Sequence, residues 1–256
     1  MKIKVFTFNM RTDVKSDGIN CFDGRKERIE QTIRDYSPDI IGFQEIKPHM
    51  KAWLRDNFQE YTLIGCGRGK DLMDESCPVA FKKDAFELIS SECFWLSATP
   101  SVPGTRYGED QSPCPRITTA LLLKHRECEK PFLFVNTHLD HKGSVARLLG
   151  SVQLLQYISE KNMPFVLTGD FNAMPESREI KVITDNSVLG IKDLTENIGG
   201  TFHNFGKIAP ADRHKIDYIF TNMEGDPANA FAIEDEGVNG VYISDHFPLC
   251  AFVDCD

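Results

Sequence analysis

Apolar positions along this chain follow two spacings. Lys2–Asn9 alternates and reads as a strand, whereas Gly24–Tyr36 places Ile29, Ile33 and Tyr36 on one face and reads as an amphipathic helix. Ile40–Glu45 predicts a second strand and Ala52–Phe58 a short helix. Further strands are expected at Tyr61–Ile64, Val79–Lys82, Phe86–Glu92, Ile117–Leu123 and Phe132–Thr137. Ser144–Ser159 has the period of a long helix burying Val145, Leu148, Val152 and Leu155. Strands then fit Phe165–Thr168, Lys215–Phe220, Ala230–Ile233 and Leu249–Val253. Strands and helices interspersed in this way predict an α/β layered fold. The close strands between Tyr61 and Glu92 predict mixed rather than purely parallel sheets. The irregular stretches Gly65–Pro78, Leu96–Pro115 and Phe202–His214 are too short and too mixed to be linkers, so residues 1–256 are expected to form a single domain.

Composition narrows the class. With 41% hydrophobic residues in 256, a sizeable core is affordable. No apolar run approaches the roughly 20 residues that span a bilayer, and the N-terminus turns polar too early for a secretory signal, so a cytoplasmic location is expected. The net charge of −9 and the lack of a basic run argue against a nonspecific duplex binder. Eight cysteines without a CxxC pair speak against a zinc ribbon, and in such a chain they are expected to be reduced packing residues. Nothing points to a protein partner.

The apolar segments end alike. VFTFNM closes on Asn9, IIGFQEI on Gln44 and Glu45, and LFVNTHLDH on Asn136, His138, Asp140 and His141. FVLTGDFNAMP presents Asp170 and Asn172, KIDYIF carries Asp217, and VYISDHFPL places Asp245 and His246 before a last strand. Each alone has an ordinary explanation: a turn residue, a helix cap, a packing histidine. Asp217 within an apolar strand is harder to dismiss, because a buried carboxylate needs a partner, and a histidine is the natural one. Gathered at one sheet edge, these groups would repel one another without a cation. Their hard oxygen ligands suit Mg²⁺ or Mn²⁺ rather than zinc. A hard cation with histidines and carboxylates is what phosphoester hydrolysis requires.

Other motifs fail. GCGRGKD lacks a P-loop's first glycine, since Ile64 stands there, and Asp71 replaces its Ser or Thr; it reads as a flexible loop at the rim of a site. HExxH and GxSxG are absent.

QE at 44–45, NTHL at 136–139, GDFN at 169–172 and SDH at 244–246, in this order along essentially the whole chain, resemble the endonuclease/exonuclease/phosphatase superfamily. NTHLDH and GDFNAMP look nearest its deadenylase and nocturnin branch and the bacterial relatives. The resemblance implies a four-layer αββα sandwich with two mixed β-sheets, DNase I-like, and a site at one sheet edge. It implies Glu45 as principal metal ligand, helped by Asn9 and Asp245. Asp170 would orient or deprotonate the attacking water, and Asn172 would hold that water or a phosphate oxygen. His246, oriented by Asp217, would contact the phosphate, and His138 would donate to a non-bridging oxygen or assist the leaving group. Arg11 stands where abasic-site endonucleases carry a metal-associated Asp, which weakens a DNA-repair reading.

Substrate residues are harder to read. Arg116 adjoins a strand and could reach a phosphate; Arg106 could line a pocket. Asn136, Asp140 and His141 could extend the phosphate site. The expected function is metal-dependent hydrolysis of a phosphoester, with single-stranded RNA or a small phosphodiester as substrate. Phosphomonoester, inositol- or sphingolipid-type substrates, or DNA, are alternatives, and a catalytically silent binding module on the same fold is the non-enzyme reading.

Overall fold

The computed structural model describes residues 1–108 and 110–255. Two six-stranded mixed sheets lie face to face. The first takes β1 (Lys2–Asn9), β2 (Ile40–Gln44), β3 (Tyr61–Ile64), β4 (Val79–Lys82), β11 (Phe231–Ala232) and β12 (Leu249–Asp254) in the order β11-β12-β1-β2-β4-β3. The second takes β5 (Phe86–Trp95), β6 (Ile117–His125), β7 (Phe132–His138), β8 (Phe165–Asp170), β9 (Lys192–Asp193) and β10 (Asp217–Thr221) in the order β5-β6-β7-β8-β10-β9. Helices α1 (Phe22–Tyr36) and α2 (Pro48–Asn57) cover the first sheet; α3 (Ser144–Lys161) and α4 (Arg178–Thr184) cover the second.

The period of two explains the layers. In β1, Ile3 and Val5 join the cluster between the sheets while Phe6 and Phe8 join the one beneath α1 and α2. In β7, Phe132 and Phe134 face inward and Leu133 and Val135 meet α3. Strands buried on both faces read as nearly continuous apolar runs, as these do. Roughly 1.5–3 kcal/mol accompanies each such large side chain removed from water, so these clusters supply the main driving force.

A polar staple interrupts the apolar layer just below one sheet edge. Asn136 is fully buried; its Oδ1 accepts from Gln44 Nε2 at 2.7 Å and Thr168 Oγ1 at 3.1 Å. Its Nδ2 donates to the Phe43 carbonyl at 2.7 Å. Gly42 makes this approach of the sheets possible, since a Cβ there would stand 2.6 Å from Asn136 Oδ1. Asn136 is therefore a fastener between sheets, not a substrate contact. Gly169 likewise permits close packing: it lies inside β8, where a Cβ would come within 2.4 Å of the Thr137 carbonyl.

Two other expectations need correcting. On α3 the buried residues are Ala146, Gly150, Ser151, Leu154, Leu155 and Ile158, whereas Val145 and Val152 are exposed. Small residues let the helix sit close to the sheet, with Gly150 against Leu139 and Leu96, and this rotates the buried face away from the larger valines. The cysteines are not all reduced either: Cys128, in the β6–β7 connection, is bonded to Cys255, 127 residues away. Among the described residues no helix is long and apolar enough to cross a membrane.

Candidate active site

Topology decides which side chains meet. β1 and β2 run parallel, as do β7 and β8, so the ends of all four reach one edge of the sandwich. β6, β10 and β12 run antiparallel to their neighbours and begin at that same edge. Residues that close four strands and precede or open three others are thereby brought together, although up to 237 positions separate Asn9 from His246.

Three of the turns at this edge carry a left-handed residue that is not glycine: Arg11 (φ 55°), Glu45 (φ 65°) and Asn172 (φ 50°). Such conformations cost on the order of 1 kcal/mol or more and persist where the surroundings over-determine them. Here each one lies within two residues of a strand end and lines the cavity. Glu45 follows Gln44 directly, and while Gln44 points into the inter-sheet layer, Glu45 lines the cavity.

The cavity has a volume of about 680 Å³. Asp170 lies at its centre. Its Oδ2 accepts from Asn9 Nδ2 at 2.9 Å and stands 3.4 Å from His138 Nε2 and 3.8 Å from His246 Nε2. Asn172 Nδ2 lies 3.0 Å from His138 Nε2, and the Asn172 N–H donates to Asp170 Oδ1 at 2.9 Å. Behind them, His246 Nδ1 meets Asp217 Oδ2 at 2.8 Å, and Thr201 Oγ1 donates to that same oxygen at 2.6 Å. The expected histidine partner of buried Asp217 is therefore His246.

Burial and charge separate the titrations. Burial, then the charge of Asp217, raises the Asp170 carboxyl to about 7. Burial pushes His246 down, but the charge and hydrogen bond of Asp217, with Asp170 and Asp245, overcome it and raise the imidazole to about 10. His138 goes the other way: burial and the guanidinium groups of Arg116 and Arg68 hold it well below its ordinary value. At neutral pH His246 is thus an imidazolium and His138 a neutral imidazole.

Glu45 and Asp245 form the acidic end. Burial opposes ionisation of Glu45, yet the Thr12 N–H (2.7 Å), the charges of Arg11 and His246 and the Asn9 amide hold its carboxyl below the usual range. Burial raises Asp245. Their oxygens are the hard donors a small divalent cation takes, so the residues present fit the metal expected. Asn9 fits less well as a ligand. Its Oδ1 accepts from the Arg11 N–H at 2.9 Å, and its amide bridges Glu45 and Asp170, so it holds the two carboxylates together. Asp170, Asp217 and His246 also bring ligand atoms within 4.8 Å of one another, and the Asp217–His246 hydrogen bond lies inside that group. Arg11 pairs with Asp17 at 2.9 Å and approaches Asp245 at 3.6 Å.

The substrate residues divide. Arg116 and His141 line the cavity, 2.8 Å apart. Asp140 instead accepts the N–H groups of Ser112, Lys142 and Gly143 and pairs with Arg116 at 3.3 Å, which makes it a structural anchor. Arg106 reaches the Ser112 carbonyl rather than the cavity. Sequence reasoning missed Glu75, Met174 and Phe202, which also line the site, and described Arg68 only as part of a rim loop. Phe202 packs 5.0 Å from the His246 ring, and only its place in an irregular stretch hinted at this.

The profile of the Endonuclease/Exonuclease/phosphatase family matches residues 6–246. An endonuclease/exonuclease/phosphatase from Bacteroides vulgatus has a TM-score of 0.93 and 32% identity, with all of both chains covered. A mannosyl-6-phosphatase from Bacteroides thetaiotaomicron has a TM-score of 0.83 and 27% identity over 98% of this chain and 100% of that one. The CCR4-Not complex 3'-5'-exoribonuclease subunit Ccr4 of Candida albicans is 23% identical over 79% of this chain, which spans only 30% of that protein. The match runs from β1 through the Asp217–His246 pair, and the chain belongs to the endonuclease/exonuclease/phosphatase family of hydrolytic enzymes.

Proposed function

We propose that the chain is a divalent-metal-dependent phosphoester hydrolase acting on a compact phosphodiester, a short single-stranded RNA end or a small diester, by in-line attack of water. The observation that carries this reading is the arrangement around Asp170: one carboxylate within 4 Å of two histidines in opposite charge states, His246 being fixed by Asp217. A base whose pKa lies near working pH is suited to take a proton from water, and Asp170 has that property. Asn172 holds that water beside Asp170. His246, as imidazolium, donates to a non-bridging oxygen where negative charge grows. His138, 3.4 Å from the same Asp170 oxygen, is placed to meet a second oxygen or the leaving group. Glu45 and Asp245 would hold Mg²⁺ or Mn²⁺, which supplies a Lewis acid for the phosphoryl oxygens.

A bounded cavity and a net charge of −9 favour a compact substrate over long duplex DNA. The likeness to the mannosyl-6-phosphatase extends over nearly the whole chain, whereas the Ccr4 protein is much longer, and this favours a phosphomonoester as the second reading. A panel of bis(p-nitrophenyl) phosphate, p-nitrophenyl phosphate, oligo(A), single-stranded DNA and mannose 6-phosphate, with Mg²⁺ or Mn²⁺, decides between them. The diesters should turn over fastest. Exclusive turnover of the monoesters would replace the first reading by the second, and no turnover of any would refute both.

A further inference from the structure

Besides Arg11, three arginines line the cavity, and their hydrogen bonds distinguish them. Arg147 has every guanidinium nitrogen engaged: Nε and Nη2 on Glu179 at 3.0 Å and Nη1 on the Asp140 carbonyl at 3.1 Å. Arg116 is held differently. Its Nε lies 3.3 Å from Asp140 Oδ2 and its Nη2 2.8 Å from His141 Nδ1. Asp140 is itself fixed by three backbone N–H groups and the Ser112 hydroxyl, so this guanidinium is set on a rigid base. Arg68 sits on the rim loop, with Nε on Asp74 and Nη1 on Glu75, both at 3.0 Å, and its carbonyl accepts from Trp95 Nε1 at 2.7 Å. Among the described residues neither Arg116 Nη1 nor Arg68 Nη2 has a hydrogen-bond partner, and both residues line the cavity. They also share a narrow crevice with His138.

The register sets the backbone of Arg116 relative to the reacting centre. Thr118 lies opposite Thr137, so Arg116 leaves β6 beside His138 and Leu139, and β8 with Asp170 is one strand further on. Two strand spacings are about 9–10 Å. A phosphoryl group seated between Asp170, Asn172 and His246 does not extend that far, whereas a second phosphate carried by the same substrate does. Guanidinium N–H groups in a preset fork match such a phosphate.

Resting on the phosphoesterase reading above, we infer that Arg68 and Arg116 form a subsite for a second, non-scissile phosphate, so that the enzyme selects substrates bearing two phosphates over those bearing one. The carboxylates around the two arginines hold them in place and temper their charge, which keeps a product phosphate from being trapped.

Two measurements test this. The first is independent of turnover: titration calorimetry of the protein in EDTA with pyrophosphate and with orthophosphate. Pyrophosphate should bind at least tenfold tighter in the wild type, and this gap should shrink to under threefold in Arg68→Gln and in Arg116→Lys, which keeps a cation beside Asp140. The second compares kcat/KM for pApA against ApA and for glucose 1,6-bisphosphate against glucose 6-phosphate; the arm that turns over identifies whether the second phosphate sits on a nucleotide or a sugar. A preference of tenfold or more that falls in both variants supports the subsite. Equal binding of the two anions by the wild type, or a preference unchanged in Arg68→Gln and Arg116→Lys, overturns it. Failure to hydrolyse any ester overturns the phosphoesterase reading instead and leaves the calorimetry to judge the subsite.

Discussion

The two ends of the β-sandwich solve opposite problems. At one end, the turns after β1, β2 and β8 carry left-handed residues, and Asp170, Asp217, Asp245 and His246 are all buried. At the other end, Cys128 is bonded to Cys255 beside His125, with Phe86 and Phe132 packed edge to face. The first end accumulates buried charge and backbone strain, which proteins keep where chemistry needs them. The second closes a long loop covalently, which constrains the unfolded chain. Stability and function are thus drawn from separate ends, and substitutions should separate them.

The largest effect is expected at the Asp217–His246 pair. His246→Ala should lower kcat by about 1,000-fold, close to 4 kcal/mol of transition-state stabilisation, with the fold retained by circular dichroism although buried Asp217 loses its partner. Retained activity would mean that the reacting phosphate lies elsewhere. At the opposite end the sign reverses. Cys255→Ser, or reduction of the Cys128–Cys255 bond, should cost about 2–4 kcal/mol of stability in denaturant unfolding while kcat at 25 °C stays within twofold. Equal loss of both would join the two ends into one cooperative element.

Asp140 and Asp170 sharpen the contrast through pH. Three backbone N–H groups, the Ser112 hydroxyl and Arg116 hold the Asp140 carboxyl far below the usual range despite its burial. A depressed carboxyl stabilises the fold above the unfolded value near 4 and loses that contribution as pH falls through the folded value. Asp140→Asn should therefore be less stable by roughly 2–3 kcal/mol at pH 7, with the difference fading below about pH 4. Asp170 has the opposite sign. With its carboxyl raised to about 7, the native state holds a proton that the unfolded chain has released, so stability falls as pH rises from about 4 to about 7. Metal-free Asp170→Asn should lack this fall and exceed the wild type at pH 8. Unfolding curves across pH 3–9 would show both, and parallel curves for wild type and variants would contradict the assignment. The smallest effect belongs to backbone strain: Asn172→Gly should relieve the φ of 50° and nearly cancel its own entropic penalty, leaving stability within about 0.5 kcal/mol while activity drops.

The sandwich was largely legible in the chain. Apolar runs located eleven of the strands to within a few residues, because strands buried on both faces are apolar throughout, and only the two-residue β9 escaped. The helix faces were less legible. In α3 contact distance mattered more than hydrophobicity, and Ala146, Gly150 and Ser151 displaced Val145 and Val152 from the sheet. That Asp170, Asn172, His138 and His246 would meet was readable because strand ends are marked in sequence and topology gathers them at one edge. Asn136 and Asp140 carried the same marks and proved to be fasteners, since residue type cannot tell a side chain aimed at a cavity from one aimed at a carbonyl. Phe202 and Glu75, on irregular segments, had no periodicity to reveal them. The Cys128–Cys255 bond had none either, because its partners are 127 residues apart.

Asp170 is the group proposed to take a proton from water beside an ion that Glu45 and Asp245 would hold. Its most direct test is the rate of bis(p-nitrophenyl) phosphate hydrolysis against Mn²⁺ concentration for wild type, Glu45→Gln and Asp170→Asn, with folding checked by circular dichroism. Saturable metal-dependent turnover in the wild type is expected. Glu45→Gln should need at least tenfold more metal for half-maximal rate, and Asp170→Asn should lose about 1,000-fold in kcat at every metal concentration. Turnover in folded Asp170→Asn within tenfold of wild type, or a wild-type rate indifferent to metal, would contradict it.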